Sequence, residues 1–569
     1  MLIFKNEEEL NIQINKYKKI TTIISIIRLF IAISLVIFLI MLFSLKDYLL
    51  YGIISAIIFI LFIFVILFTN KYYYKLEHLK AKLLVYSNHK KRRMHDLNTF
   101  FDNGSDFLIK DDYKESDLDL FGKNSIYQYL NISKTKRGRI KFANYLRYGK
   151  EFDINYAKSI YELSNLESSI DIEASISEIS NEAKRIDYEE LLSNLGNKIK
   201  LNILSFIPLL SFIGMITYLI LIFTINLNPF GIIGFILFNF ISTRLFLKNN
   251  AFNVKATVYE NIIDSYINIC NKFILNKYES KYLLNYQDII KNKINKLKSL
   301  KHIVELLSIR SNFVFLIIFN SLFISDFYTV LLFNKKIKDN NDLKDLFEII
   351  SELESMLSFA NLGIDNENYC IPEISDNISF NDLYHPLINN PISNSLDIKE
   401  GIILTGSNMS GKTTFLRTLG IAEILFKASS IVPATKFLSP KLDIYTSLRA
   451  NDMLDEGIST FYAEILRMKK INEAIKKGPC LVLIDEIFKG TNLNERLEAS
   501  FKIIEKLNNY NAYFIISTHD EKITEAKDII NYHFNEYYKD DKIYFDYKIK
   551  EGKSETTNAM YLLKMADII

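Results

Sequence analysis

The stretch Gly406-Ser407-Asn408-Met409-Ser410-Gly411-Lys412-Thr413 has the spacing G-x-x-x-x-G-K-[ST]. Residue types in this order can hold an anion. Glycines let successive backbone N–H groups turn toward one point, and the N-terminus of a following helix adds partial positive charge. Gly406, Ser407, Asn408, Met409, Ser410, Gly411, Lys412, Thr413 and Thr414 are therefore the expected nucleotide-binding residues. Lys412 is expected to reach the β- and γ-phosphates, and the Thr413 hydroxyl to ligate Mg²⁺. Further on, Cys480-Leu481-Val482-Leu483-Ile484-Asp485-Glu486 is an apolar run that ends in two acids. Asp485 is placed to hold the metal through water, and Glu486 to polarise an attacking water as general base. A third apolar run, Tyr513 to Ser517, ends in Thr518-His519-Asp520, where His519 is expected to sense the γ-phosphate. Lys412, Glu486 and His519 form the expected catalytic set, Thr413 and Asp485 the metal set, and ATP with Mg²⁺ the expected ligands. Between these motifs, Ser459-Thr460-Phe461-Tyr462-Ala463-Glu464 follows Asp455-Glu456-Gly457. Hydroxyl residues ahead of a helix pattern can present O–H and N–H groups to an anion. The glycine-rich loop already supplies one cradle, so Ser459 is expected to face a nucleotide held by a second copy of the chain. An ordinary capped helix has the same spacing.

These residues need strands and helices to place them. Ile402-Ile403-Leu404 reads as a buried strand entering the loop, and Phe415, Leu416, Leu419 and Ile424 continue a helix out of it. Six of the eight prolines lie after residue 370, the others being Pro208 and Pro229. The last third thus has the turn-rich texture of α/β structure, and the chain before residue 360 is mostly uninterrupted helix pattern. Ile154 to Arg185 and Asn253 to Ile309 read as long amphipathic helices. No repeat of 20 to 50 residues is visible. The length of 569 residues suggests three or four units. A chain 49% hydrophobic and 24% charged is neither disordered nor fibrous. A net charge of +3 lacks the bulk basic signature of a dedicated nucleic-acid binder. Three widely spaced cysteines with no CxxC pair exclude a disulfide framework or zinc site, and suit a reducing, cytosol-facing location.

Two uncharged runs, Leu29–Leu45 and Tyr48–Asn70, are each close to the roughly 20 residues that cross a bilayer. They predict spans at about 25–45 and 48–69. A signal peptide fits poorly, because the apolar stretch begins deep in the chain and a second one follows at once. Leu201 to Thr243 is also uncharged and predicts a second hairpin, bent near Asn226, Asn228 and Pro229, for about four spans in all. Basic residues flank the hairpins: Lys16, Lys18 and Lys19; Lys71 through Arg93; Lys198 and Lys200; Arg244, Lys248 and Lys255. The turns hold almost none. The positive-inside rule then makes this a multi-pass protein of the cell membrane with both termini and the nucleotide-binding domain in the cytoplasm. A fifth apolar run, Ser311 to Ser325, is short for a span and reads as a core helix.

Taken together, Gly406 to Thr413, Ser459-Thr460-Phe461-x-x-Glu464, Asp485-Glu486 with Gly490-Thr491, and Thr518-His519 resemble the MutS family of ATPases, within the ABC class of P-loop ATPases. His385-Pro386-Leu387 looks like the family's element that opens the ATPase domain. Asp117-Leu118-Asp119-Leu120-Phe121-Gly122 and Thr135-Lys136-Arg137-Gly138-Arg139 look like the start of its helical core. The resemblance implies an α/β P-loop NTPase domain of ABC/MutS type at 371–569. It also implies an all-α helical core or lever at 93–200 and 248–370, with membrane hairpins at 1–92 and 201–247. No mismatch-reading domain is visible. By resemblance the chain is a membrane-anchored, MutS-like ATPase that forms a homodimer around two ATP molecules and binds DNA. An ABC-type transporter half and a membrane-tethered, ATP-driven scaffold with no DNA role are the alternative readings.

Overall fold

The computed structural model describes residues 2–44, 48–109, 112–179, 203–225, 227–228, 230–248, 256–308, 313–336, 341–399, 401–407, 409–449, 460–488, 492–539 and 542–553. The chain opens with α1 (Leu2–Ser44) and α2 (Tyr48–Arg93). They pack as an antiparallel hairpin, with Phe38 on Tyr51 near the turn and Tyr17 on Tyr72 lower down. Both helices are long and apolar enough to cross a membrane. Their outward residues, such as Phe30, Ile60 and Phe64, are about two-thirds exposed. The uncharged runs are only parts of these helices: α2 continues past Asn70 as a polar rod that ends in Lys90, Lys91, Arg92 and Arg93.

A helical domain follows: α3 (Tyr113–Asp117), α4 (Ile126–Leu130), α5 (Lys136–Tyr148), α6 (Ile154–Asn165) and α7 (Ser169–Ser177). After α8 (Ile207–Ile225) and α9 (Gly231–Lys248) come α10 (Ala256–Leu275), α11 (Lys281–Ser308), α12 (Phe313–Phe323), α13 (Ser325–Lys336) and α14 (Asn341–Asp365). The two expected long amphipathic helices are each broken. Residues 166–168 separate α6 from α7, and residues 276–280 separate α10 from α11. At the second break the Glu162 carboxylate accepts from the N–H groups of Glu279 and Ser280 at 2.7 and 2.8 Å. Apolar spacing runs on across both breaks and gives no sign of them.

α8 and α9 are apolar but fall short of a full span by length. The described part of the run expected as a core helix, Ser311 to Ser325, forms α12 and the corner after it, with Leu316, Asn320, Ser321 and Ile324 buried. α12 lies against α9 with Ile318 and Phe323 exposed, and Asn239 of α9 donates to the Ser321 carbonyl at 3.1 Å. α12 and α13 meet at a bend of 78°. Ile324 takes a φ of +43° there, and Asn320 Oδ1 accepts from the Asp326 N–H at 3.0 Å to cap the new helix. The side chains at the corner thus satisfy the freed backbone, and an apolar helix turns sharply without Pro or Gly.

The C-terminal domain contains two sheets. β1 (Glu373–Ile374), β2 (Ile378–Leu383), β3 (Asn394–Ile398) and β5 (Lys436–Ser439) form one, in the order β1-β5-β2-β3. The other has the order β10-β9-β4-β8-β7-β6, from β4 (Gly401–Thr405), β6 (Asp443–Ser447), β7 (Cys480–Asp485), β8 (Tyr513–Ser517), β9 (Ile529–Lys539) and β10 (Lys542–Glu551). All neighbours in it are parallel except β9 and β10. A parallel sheet is covered on both faces, which is why β4 and β7 read as continuous apolar runs. Ile402 and Leu404 join the core shared with α15 (Lys412–Lys427) and the helical domain. Ile403 joins a second core behind the sheet, under α16 (Thr460–Ala474) and α17 (Leu493–Asn509).

Candidate functional site

The site forms where β4, β7 and β8 end side by side. Parallel pairing sets Asp485, the last residue of β7, opposite Ser517, the last of β8. The N–H of Thr518 donates to Leu404 O at 3.0 Å, which brings the β8 end beside the β4 end. Three strand ends thus deliver the glycine-rich loop, the two acids and the histidine to one place.

The loop leaves β4 at Gly406, where φ is +142° and an added Cβ would stand 2.8 Å from Phe534 O. It re-enters helix at Gly411, with φ +105°, and the ring of Tyr547 closes on that glycine. Both glycines are there because the backbone needs a conformation and a clearance that other residues lack. Lys412, the first residue of α15, is buried, and its ammonium donates to Gly406 O at 2.7 Å and Ser407 O at 2.8 Å. Thr413 Oγ1 donates to Asp485 Oδ2 at 2.7 Å. Ser517 Oγ donates to the other oxygen of Asp485. Glu486 takes a φ of +61°, outside the strand, and its N–H donates to Ser517 O at 3.0 Å. That twist turns its carboxylate to His519, whose Nε2 lies 3.1 Å from Glu486 Oε1 and 3.4 Å from Lys412 Nζ. A non-glycine residue held in this conformation costs of order 1–3 kcal/mol and marks a position the surroundings over-determine.

Met409, Ser410, Gly411, Lys412, Thr413, Thr414, Asp485, Glu486 and His519 all line one cavity of about 580 Å³. Gly406 and Ser407 lie at its base through the bonds to Lys412. Asn408 and Ser459 lie outside the described residues, as do Gly457, Gly490 and Thr491. The far wall is made by His385, Ile388, Ile392, Phe534 and Tyr547. Burial, with Arg417 and His95 nearby, pushes the His385 imidazole down to about 4, so it is neutral near pH 7. Its Nδ1 accepts from the Leu387 N–H at 3.2 Å, which leaves the proton on Nε2.

Three contributors escape a reading of motifs. Ser517 orients Asp485. Glu536 of β9 accepts from Ser407 Oγ at 2.7 Å beneath the loop. Tyr547 comes from β10, far along the chain. Only the strand order joins them to the site, although Ser517 could have been noticed as the last residue of its apolar run.

Among the described residues no group of three His, Cys, Asp or Glu could hold a metal ion unaided. The donor set suits a different arrangement. A hydroxyl and one carboxylate face each other at Thr413 and Asp485, beside a lysine and a turn of N–H groups. That is the chemistry of Mg²⁺ carried in on phosphates, which keeps most of its own waters and takes few protein ligands. The buried Ser410 Oγ has no partner among the described residues, so a polar group is available at the cradle.

With this geometry in view, the likeness to known proteins is specific. MutS domain V matches residues 402–568, which run from β4 through the site and beyond β10. The DNA mismatch repair protein MutS of Bacillus licheniformis is 31% identical over 243 residues, 40% of this chain and 28% of that protein. MutS protein homolog 4 of Mus musculus is 30% identical over 246 residues, 40% of this chain and 25% of that protein. The similarity to the MutS family lies in this C-terminal domain. It spans only about a quarter of the length of these relatives.

Proposed function

We propose that this chain is a membrane-anchored P-loop ATPase of the MutS type. One observation carries the reading: Lys412, Thr413, Asp485, Glu486 and His519, from three strand ends and one helix, converge on a single cavity. The loop N–H groups and Lys412 bind the triphosphate, with Lys412 leaving its own loop carbonyls for phosphate oxygens. Thr413 and Asp485 would hold Mg²⁺, which would supply positive charge beside the phosphates. Glu486 accepts a proton from the attacking water. His519, within reach of both Glu486 and Lys412, orients that carboxylate and reads the terminal phosphate. Ile388, Ile392 and Tyr547 offer the base an apolar wall. Ser459 of a second copy completes the site in a homodimer.

The α1/α2 hairpin spans the membrane, and α8, α9 and α12 form a second apolar unit that enters it. Both ends of the first hairpin return to the side that carries the helical domain, in keeping with basic flanks facing the cytoplasm. The name of the Bacillus licheniformis relative concerns DNA mismatch repair, and we extend that to duplex DNA as the partner of the helical domain. A transporter half is less well supported. Among the described residues, two helices long enough to cross, or three if α12 and α13 count as one, are few for a pathway. Two buried amides of the second unit have partners close by, Asn239 on Ser321 O at 3.1 Å and Asn320 on Asp326 of α13 at 2.8 Å.

The test is ATP turnover by the full chain in detergent, with and without duplex DNA. Lys412→Ala should lower turnover by roughly 100-fold or more. Unchanged turnover in that variant would refute the site, and indifference to DNA at every salt concentration would refute the partner.

A further inference from the structure

Asp117 and Asp119 lie at the end of α3 and in the turn beyond it, nearly 300 residues before the glycine-rich loop. Asp117 is fully buried. Its Oδ2 accepts from Thr446 Oγ1 at 2.8 Å and from the Leu448 N–H at 3.0 Å. Its Oδ1 accepts from the Arg449 N–H at 3.2 Å and lies 3.5 Å from Arg467 Nη1. Asp119 takes Arg449 Nη2 on both oxygens at 2.7 Å, and Arg417 Nη1 on Oδ2 at 3.2 Å. Two carboxylates of the helical domain thus hold three guanidinium groups and a backbone turn.

Each of those groups belongs to an element of the nucleotide site. Arg417 sits on α15, little more than a turn after Lys412. Arg449 follows β6, the strand paired with the one that carries Asp485. Arg467 lies on α16 and also donates to Arg449 O. Tyr113 at the start of α3 places its ring 4.5 Å from both the Arg467 guanidinium and the Lys470 ammonium. Stability alone accounts poorly for such a cluster, because buried ion pairs can often be replaced by apolar packing at little cost. What they do supply is register: a carboxylate that accepts from a turn, a hydroxyl and a guanidinium fixes all three at once.

We propose that Asp117 and Asp119 are positioning residues for ATP hydrolysis. They lock α16 and the chain after β6 in one relation to α15, and make that relation depend on the placement of α3 in the helical domain. The inference rests on the ATPase reading above.

Asp119 is the better probe because its side chain is partly exposed, at 31%, and its replacement leaves no unpaired group in a closed core. ATPase kinetics of the full chain, with binding of a fluorescent ATP analogue measured in parallel, test it. Asp119→Asn should lower kcat on the order of 10- to 100-fold, with KM and analogue affinity changed by less than about threefold. Arg449→Gln should do the same, the double variant should be no worse than either single one, and Asp119→Glu should recover part of the loss. Wild-type kcat in Asp119→Asn, losses that multiply in the double variant, or a parallel loss of analogue affinity would overturn the inference while leaving the ATPase reading intact. If the wild type hydrolyses no ATP, or Lys412→Ala keeps full turnover, the ATPase reading falls and this inference with it.

Discussion

His89 sits near the end of the α2 rod with no solvent exposure. Its Nδ1 faces Asp365 of α14 at 3.0 Å and its Nε2 faces Glu173 of α7 at 3.0 Å. Only the doubly protonated ring can donate to both carboxylates. Burial by itself would keep the ring neutral, but Asp365 and Glu173 outweigh it and push the imidazole up from 6.5 to about 9. Arg92 stands 3.6 Å from Glu173, and Arg93 stands 3.5 Å from Asp365, so the two carboxylates answer to three cations. A tenfold change in proton affinity is worth about 1.4 kcal/mol, so this rise corresponds to about 3 kcal/mol of folded-state preference for the charged ring. The sign follows from the direction. The contribution is fully present below pH 6.5, where the unfolded chain also carries the proton, and is lost as pH rises through about 9. Hydrogen exchange of the full chain between pH 6 and 10, corrected for the intrinsic rate, should show the second half of α2 and α7 losing protection together toward the alkaline end. His89→Gln should be less protected at pH 7 by a few kcal/mol, since it leaves two buried carboxylates without their central cation. It should also lack the alkaline step. The same step in wild type and variant would refute the reasoning.

Three further outcomes follow from single contacts. Gly138→Ala in α5 would set its Cβ 1.9 Å from Glu354 Oε2, a buried carboxylate that caps this helix through the N–H groups of Lys134 and Thr135. It should cost roughly 1–3 kcal/mol, read as a lower melting temperature. Glu423, wholly buried with one hydrogen bond from Ser439 Oγ at 2.6 Å, has its carboxyl pushed up to about 8 by burial. Its stability contribution therefore declines as pH rises from 4.5 through about 8, and Glu423→Gln should raise the melting temperature at pH 9 but not at pH 4. Ile318→Cys on the outer face of α12 should resist a membrane-impermeant maleimide in intact membranes and react once they are dissolved; equal labelling in both would place α12 outside the lipid.

The strand–loop–helix unit was legible because each part has a local cause. Ile402 to Leu404 is an apolar run, Gly406 and Gly411 permit the turns, and Lys412 begins a helix whose apolar spacing continues to Ile424. β7 and β8 were legible for the same reason, and their ends carry the acids and the histidine. What escaped depends on partners distant in the chain. Thr135 and Gly138 read as a motif, but their cause is Glu354, more than 200 residues later. The helix breaks at 166–168 and 276–280 lie inside continuous apolar spacing. α12 has the composition of a core helix and of a lipid-facing one alike. In the fold it lies against α9, and periodicity does not encode which neighbour an apolar face meets.

Each of the two ionic clusters joins the helical domain to a neighbouring element. Asp117 and Asp119 join the helical domain to α15 and α16. His89, Glu173 and Asp365 join it to the α2 rod. α14 runs through the helical domain, buried along most of its length. Its Glu354 caps α5, its Glu352 holds Lys141 at 2.7 Å, and its Asp365 ends at His89. Close-packed interiors do not deform smoothly; they move as bodies or break at weak contacts. Removing Asp117 or His89, both fully buried, leaves a buried charge uncompensated, at a cost of several kcal/mol. Exposed pairs such as Lys502 with Glu498 contribute far less. A rearrangement of the nucleotide site that shifts α15 or α16 should therefore carry the helical domain with it. The domain in turn should carry the second half of α2, as one rigid rotation. Severing the His89 cluster should leave the chemistry of the site in place while uncoupling it from the hairpin. A spectroscopic distance between labels on α2 and α15 should stay constant through turnover in the wild type and vary in His89→Gln. A distance that varies equally in both would show that the rod is not driven through this contact.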